Sequence, residues 1–190
     1  MEKTLLRLAL MLIALAVPTA MLADTIYSVN QSFGAGSVSG TITTDGAIGV
    51  LHAGNIVDWN LTLNDGTHVA TLLGANSSFG QGLHDAVGPN NVDLTATAGN
   101  LFFNYSSADG GFIYFANANG ELCYTGWSNC WGPHGVGVYS VGGDGLSVFA
   151  AESGNQVIAT AVATPEPGSL VLLGSGLLGL GGAVRKRLAK

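Results

Sequence analysis

The chain has 190 residues, 47% of them apolar and only 9% charged, with 6 Lys plus Arg against 12 Asp plus Glu and a formal net charge of -6. Ten of the acids (Asp24, Asp45, Asp58, Asp65, Asp85, Asp93, Asp109, Glu121, Asp144 and Glu152) lie between residues 24 and 164, a stretch without one Lys or Arg. Such a domain has no permanent cation with which to neutralise phosphates, which excludes nucleic acid as a partner and phosphate-recognising roles with it. The chain opens with Met1-Glu2-Lys3-Thr4-Leu5-Leu6-Arg7, an apolar run from Leu8 to Val17, then Pro18 and small residues up to Ala23. A cationic start, an apolar run too short to span a bilayer and a small-residue end mark residues 1–23 as a Sec-type signal peptide, suited to cleavage after Ala23 or, less well, after Ala20, with the Sec translocon and signal peptidase as implied partners.

Residues 24–162 form a Gly-rich acidic domain in which strand-like runs recur at intervals of about 8–12 residues. Strands are predicted at Thr25 to Asn30, Ser37 to Thr44, Ile56 to Leu63, His68 to Leu73, Val92 to Thr97, Leu101 to Tyr105, Phe112 to Ala116, Val136 to Ser140, Leu146 to Ala150 and Gln156 to Val162. Turn chemistry separates them at Asp45-Gly46, Asp65-Gly66, Asp109-Gly110-Gly111, Asn119-Gly120 and Gly142-Gly143-Asp144-Gly145. In Ile56 to Leu63 the alternation puts Val57, Trp59, Leu61 and Leu63 on one face and Asp58, Asn60 and Thr62 on the other. Leu51 to Asn55 has room for one helical turn, and no run supports a long amphipathic helix. The fold class expected is all-β, a single jelly-roll-like β-sandwich of antiparallel strands.

Cys123 and Cys130 are the only cysteines, and in an exported chain a lone pair points to a disulfide, here closing a short loop. A zinc site with His134 and a catalytic thiol are the rival readings; the first lacks a fourth ligand and the second an activating context. Tyr124, Trp127 and Trp131 sit on or beside that loop among glycines, and either form a platform for stacking on a sugar ring or fold back over the core. His52, His68 and His84 are evenly spaced in sequence, which by itself brings no side chains together, so no metal ligands are assigned. Asp58, Asp65, Asp85 and Asp93 could supply a hydrolytic carboxylate pair. Asp45, Asp65, Asp109, Glu121 and Asp144, however, adjoin glycines and read as turn residues, and the chain is expected to be no enzyme. Gly142-Gly143-Asp144-Gly145-Leu146-Ser147 resembles one defective copy of a calcium-binding repeat. Calcium stays open with its ligands unassigned, and no other cofactor is expected.

The C-terminal end combines three features in order. Pro165-Glu166-Pro167, within an extended linker at residues 163–167, holds Glu166 in an accessible strand-like form. The next 17 residues, Gly168 to Val184, are apolar, Gly or Ser, and would rise about 25 Å as a helix, a marginal membrane span. Arg185, Lys186, Arg187 and Lys190 then form a basic stop, so that residues 168–190 read as a transmembrane sorting segment with the domain outside.

This arrangement resembles the PEP-CTERM sorting signal of exported bacterial proteins. The resemblance implies that Pro165, Glu166 and Pro167 are recognised by a membrane-embedded exosortase, which removes the anchor. It further implies a Gram-negative host, a precursor held transiently in the inner membrane, and a mature form at the cell surface or in exopolysaccharide and biofilm matrix. A second similarity, of Gly40 to Gly46 followed by Ile56 to Thr62, is to a recurrent pattern in exported proteins with such tails; it implies fold and no chemistry. The function expected is therefore a sorted surface or matrix protein of unassigned ligand. The alternative is a secreted carbohydrate-binding module using Tyr124, Trp127 and Trp131.

Overall fold

The structure, a computed structural model, describes residues 23–83, 93–106, 110–126, 134–140 and 145–162, together with the single residue Gly176. Thirteen strands are present among them. In chain order they are β1 (Thr25–Phe33), β2 (Gly36–Thr44), β3 (Gly49–Val50), β4 (Ile56–Asn64), β5 (Val69–Leu73), β6 (Ser78–Leu83), β7 (Leu94–Ala96), β8 (Asn100–Asn104), β9 (Gly111–Asn117), β10 (Gly120–Thr125), β11 (Gly135–Ser140), β12 (Gly145–Ala151) and β13 (Asn155–Ala161), with one 3-10 turn at Ala53–Asn55. Each of the ten predicted runs corresponds to a strand, and the fold is all-β as expected. The predicted positions of Val92, Asp109 and Gly142 to Asp144 lie outside the described residues.

Two antiparallel sheets face each other. The larger has the order β3-β7-β8-β13-β1-β2-β4-β5 and the smaller β12-β11-β10-β9-β6. Alternation builds the large sheet's inner face: Tyr27, Val29 and Phe33 of β1 and Val38 and Ile42 of β2 are buried, and Tyr27 is paired with Ile42. Leu61, Leu63, Leu101 and Phe103 continue that face into β4 and β8. The small sheet answers with Ile113, Phe115, Leu122, Tyr124, Val136 and Val138. Each fully buried aliphatic or aromatic side chain contributes about 1.5–3 kcal/mol of transfer free energy. The core is therefore the interface between the sheets.

The small sheet crosses the large one. At the start of β10, Gly120 packs against Ala70 and Leu63, and Asn117 Nδ2 donates to the Thr71 carbonyl at 3.1 Å, so this end lies over β4 and β5. At the far end Gly126 lies against the carbonyls of Asn104 and Tyr105, next to β8, and midway the Tyr124 hydroxyl donates to Gln31 Oε1 of β1 at 2.7 Å. A strand that reaches from β5 to β8 traverses the large sheet's strands and does not follow them, which is orthogonal packing. Val148 of β12 covers Gly34 and Gly36 at the β1–β2 turn, while Gln81 of β6 donates to the Leu51 carbonyl at 3.1 Å toward the opposite end.

That opposite end is closed by residues 45–55. Asp45 Oδ1 accepts from Ala47 N at 3.0 Å and its Oδ2 accepts from Asn55 Nδ2 at 2.9 Å, which together hold its carboxyl below the usual range. Leu51, fully buried, ties the segment to β7 by donating its N–H to the Leu94 carbonyl at 2.9 Å.

Four expectations need correction. The strand β10 occupies what the sequence suggested was a turn and a disulfide loop, because Leu122 and Tyr124 alternate into the core. Glu121 is accordingly a half-buried strand residue paired with Tyr139, not a turn residue. The short strands β3 and β6 were not anticipated; β6 reads Ser-Phe-Gly-Gln-Gly-Leu, and its glycines obscure any strand preference. In β4 the alternation slips at its start: Thr44 faces Ile56 while Thr43 faces Asp58, leaving Val57 as the extra residue of a bulge. Ile56 is therefore buried, and Val57 is 46% exposed instead of facing the core.

Candidate functional site

The sequence-based candidates divide into those on described strands and those beyond them. Cys123 and Tyr124 lie on β10, whereas Cys130, Trp127 and Trp131 lie outside the described residues, as do Pro165, Glu166, Pro167, Arg185, Lys186, Arg187 and Lys190. Tyr124 leaves the candidate sugar platform. Its side chain is fully buried, its ring packs at 6.0 Å from Phe103 and 6.5 Å from Tyr105, and desolvation raises its phenol above the ordinary range. The inward phase of β10 makes it a core residue.

Cys123 has the opposite phase. It is fully buried on the outer side of the small sheet, clustered with Tyr139, Phe112 and Tyr114. This side holds an aromatic arrangement that no run of sequence announces. The rings of Phe112 and Tyr114 are parallel within 16° at 6.2 Å and lie over Gly82 and Gly80 of β6. A Cβ at Gly80 would fall 2.3 Å from the Tyr114 ring, and one at Gly82 would fall 2.6 Å from Phe112. The glycines in β6 are thus the floor on which neighbouring rings rest. The signal was Phe and Tyr two apart facing Gly and Gly two apart, which becomes visible only once β6 and β9 are in register.

Beside these rings Glu121 and Tyr139 are cross-strand partners. Burial pushes the Glu121 carboxyl up, and burial followed by repulsion from Glu121 pushes the Tyr139 phenol up to about 12. A carboxyl whose folded-state pKa is raised favours folding fully below its unfolded pKa and loses that contribution as pH rises through the folded value. Glu121→Gln is therefore expected to raise Tm at pH 7 by about 1–3 °C, an effect kept small by solvent screening of its exposed half, and to leave Tm unchanged at pH 3. Thermal unfolding of both chains at the two pH values checks this; an equal shift at both would assign the effect to packing.

The remaining polar candidates are dispersed. Asp65 Oδ1 accepts from the N–H groups of Thr67 and His68 at 2.8 and 2.6 Å, and Asn64 Oδ1 accepts from Gly66 N at 2.7 Å, so Asp65 does the turn chemistry anticipated for it. Asp65 and His68 stand at the far end of β4 from Asp58. His52 precedes the 3-10 turn at the closed end, and His84 and Asp85 lie outside the described residues. Asp93 is buried at the start of β7. Among the described residues no three His, Cys, Asp or Glu side chains come together as a metal-holding group.

The end of β13 is fixed within the large sheet. β13 lies between β8 and β1, Ala161 pairs with Tyr27, and Val162 N donates to the Ile26 carbonyl at 2.8 Å. β13 and Val162 therefore end beside the point where β1 begins. Residues 163–187 match the PEP-CTERM protein-sorting motif. The chain is thus a PEP-CTERM motif-containing protein, and the motif begins directly after the last strand. Such a motif implies an exported, membrane-anchored precursor and an exosortase as its processing partner. Pro165, Glu166 and Pro167 lie within the matched residues. Comparison with curated proteins and with solved structures gives no match. Among the described residues no helix is long and apolar enough to cross a membrane.

Proposed function

We propose that this PEP-CTERM chain is a non-enzymatic surface or matrix protein of a Gram-negative bacterium. Its signal peptide directs Sec export, signal peptidase cleaves after Ala23, and the basic stop at Arg185, Lys186, Arg187 and Lys190 holds the precursor in the inner membrane. An exosortase then processes it at Pro165-Glu166-Pro167, and the acidic β domain is left at the cell surface or in exopolysaccharide. The carrying observation is the motif at residues 163–187, which starts where β13 has delivered the chain to the domain's surface. β1 begins at Thr25, two residues past Ala23, which supports that cleavage position. The absence of Lys and Arg from residues 24–164 supports a soluble, self-repelling matrix component over one that grips anionic polymers. Cys123 and Cys130 are proposed to pair, closing the chain between β10 and β11.

The test is the intact mass and location of the product made in its own host, with and without Pro165, Glu166 and Pro167 replaced by alanine. The expected result is loss of the C-terminal segment and release from the inner membrane only when the motif is intact. A full-length membrane species from both chains would overturn the sorting reading. The same spectra register the disulfide, as a deficit of two hydrogens that reduction restores.

A further inference from the structure

We infer that the end of the sandwich from which the chain leaves is a lipid-facing surface, and that in the anchored precursor residues 45–55 and Val162 rest on the bilayer. The inference depends on the membrane-anchored precursor that the sorting motif implies, and adds to it the orientation of the domain.

Six large apolar side chains are well exposed among the described residues: Ile48, Val50, Val57, Val69, Val157 and Val162. Strand register places four of them, Ile48, Val50, Val57 and Val162, at or beside the closed end. There Thr25 pairs with Thr44, Thr44 with Ile56, and Gly49 with Ala96. Ile48 is 60% exposed and Val162 44%. They are not on a loose loop. Ala47 packs on the core, Leu51 is fully buried, and the hydrogen bonds of Asp45, Leu51 and Asn55 fix the segment, so Ile48 and Val50 are held outward.

The length of chain beyond the domain says what covers them. From Val162 to the first residue of the apolar run, Gly168, is six residues, at most about 20 Å even fully extended. The nine residues of β1 already span about 30 Å, so the tether is shorter than the domain it holds. The bilayer therefore stands within reach of this end at high effective concentration, and apolar groups too few to bind a membrane from solution suffice once tethered. The charge pattern selects the lipid. With no Lys or Arg between residues 24 and 164, and with Asp24 and Asp45 at this end, the surface suits zwitterionic headgroups and is repelled by anionic ones.

The test reconstitutes residues 24–190, the chain as it stands once the signal peptide is removed, in phosphatidylcholine vesicles carrying a nitroxide at the headgroup. An environment-sensitive fluorophore is attached in turn to Ile48→Cys, Val162→Cys and Val69→Cys, with the unsubstituted chain as labelling background. Val69 is the control, because it is 66% exposed but sits at the opposite end, where it pairs with Asn64. The expected result is a blue shift and loss of most emission at positions 48 and 162, with little change at 69. Equal quenching at 48 and 69 in chains that float with the vesicles would overturn the orientation alone. Chains that do not float would overturn the anchored precursor as well.

Discussion

Gly40→Ala is expected to lower the stability of the domain by about 4 kcal/mol or more, a large share of the 5–15 kcal/mol that holds a typical domain folded. Gly40 has φ +134, a conformation that L side chains rarely adopt and that alone costs about 1–3 kcal/mol. The larger penalty is steric. A Cβ there would fall 1.9 Å from the carbonyl oxygen of Asn60, and because that oxygen belongs to backbone it can yield only by parting β2 from β4. Gly40 is paired with Val29 on one side and Leu61 on the other, so the displacement would spread to Val38, Ile42, Leu61 and Leu63, all buried. Gly54→Ala is the matched control, since its added Cβ meets nothing within 4 Å. Urea unfolding followed by tryptophan emission should show a large drop in midpoint for the first variant and almost none for the second. Equal midpoints would mean that β2 and β4 do not approach this closely at Gly40.

Gly40 also shows what kind of information a linear reading contains. The pattern Gly40 to Gly46 followed by Ile56 to Thr62 was legible as strand, turn and strand, because alternation and an Asp-Gly turn are local properties. That Gly40 must lack a side chain is not local, since the obstacle is Asn60, twenty positions away in sequence and brought near only by register. The same limit explains β6, whose glycines argue against a strand until Phe112 and Tyr114 are laid over them. It explains Val57 too, where a bulge opposite Thr43 and Thr44 reverses a phase that the sequence alone continues unbroken. The sorting motif was readable for the opposite reason. Residues 163–187 match the motif as a linear pattern of residue types, which needs no register between distant strands to be read. Tyr124 failed as a platform residue because proximity to Cys123 and Trp127 in sequence suggested a shared loop, whereas the β10 register directs Tyr124 inward and Cys123 outward.

Tyr124→Ala is the substitution that separates those two positions most sharply. A ring stacked on sugar at a loop could be removed with little loss of stability, but a fully buried tyrosine that packs against Phe103 and Tyr105 should cost about 3–5 kcal/mol when truncated. Tyr124→Phe isolates the hydroxyl. It keeps the ring and removes the 2.7 Å hydrogen bond to Gln31 Oε1, for an expected loss of about 1 kcal/mol, because Gln31 is only partly buried and water can reach its amide. The dependence on pH has a definite sign. Burial raises the Tyr124 phenol, so its contribution is complete below the unfolded tyrosine pKa of about 10 and declines as pH rises through the folded value. The Phe variant should therefore lose less stability than the parent chain between pH 9 and pH 11, in the order of about a kcal/mol. Chemical unfolding of all three chains across that range decides the matter. A Tyr124→Ala chain as stable as its parent would return the residue to the surface, and with it the small sheet's crossing over β1.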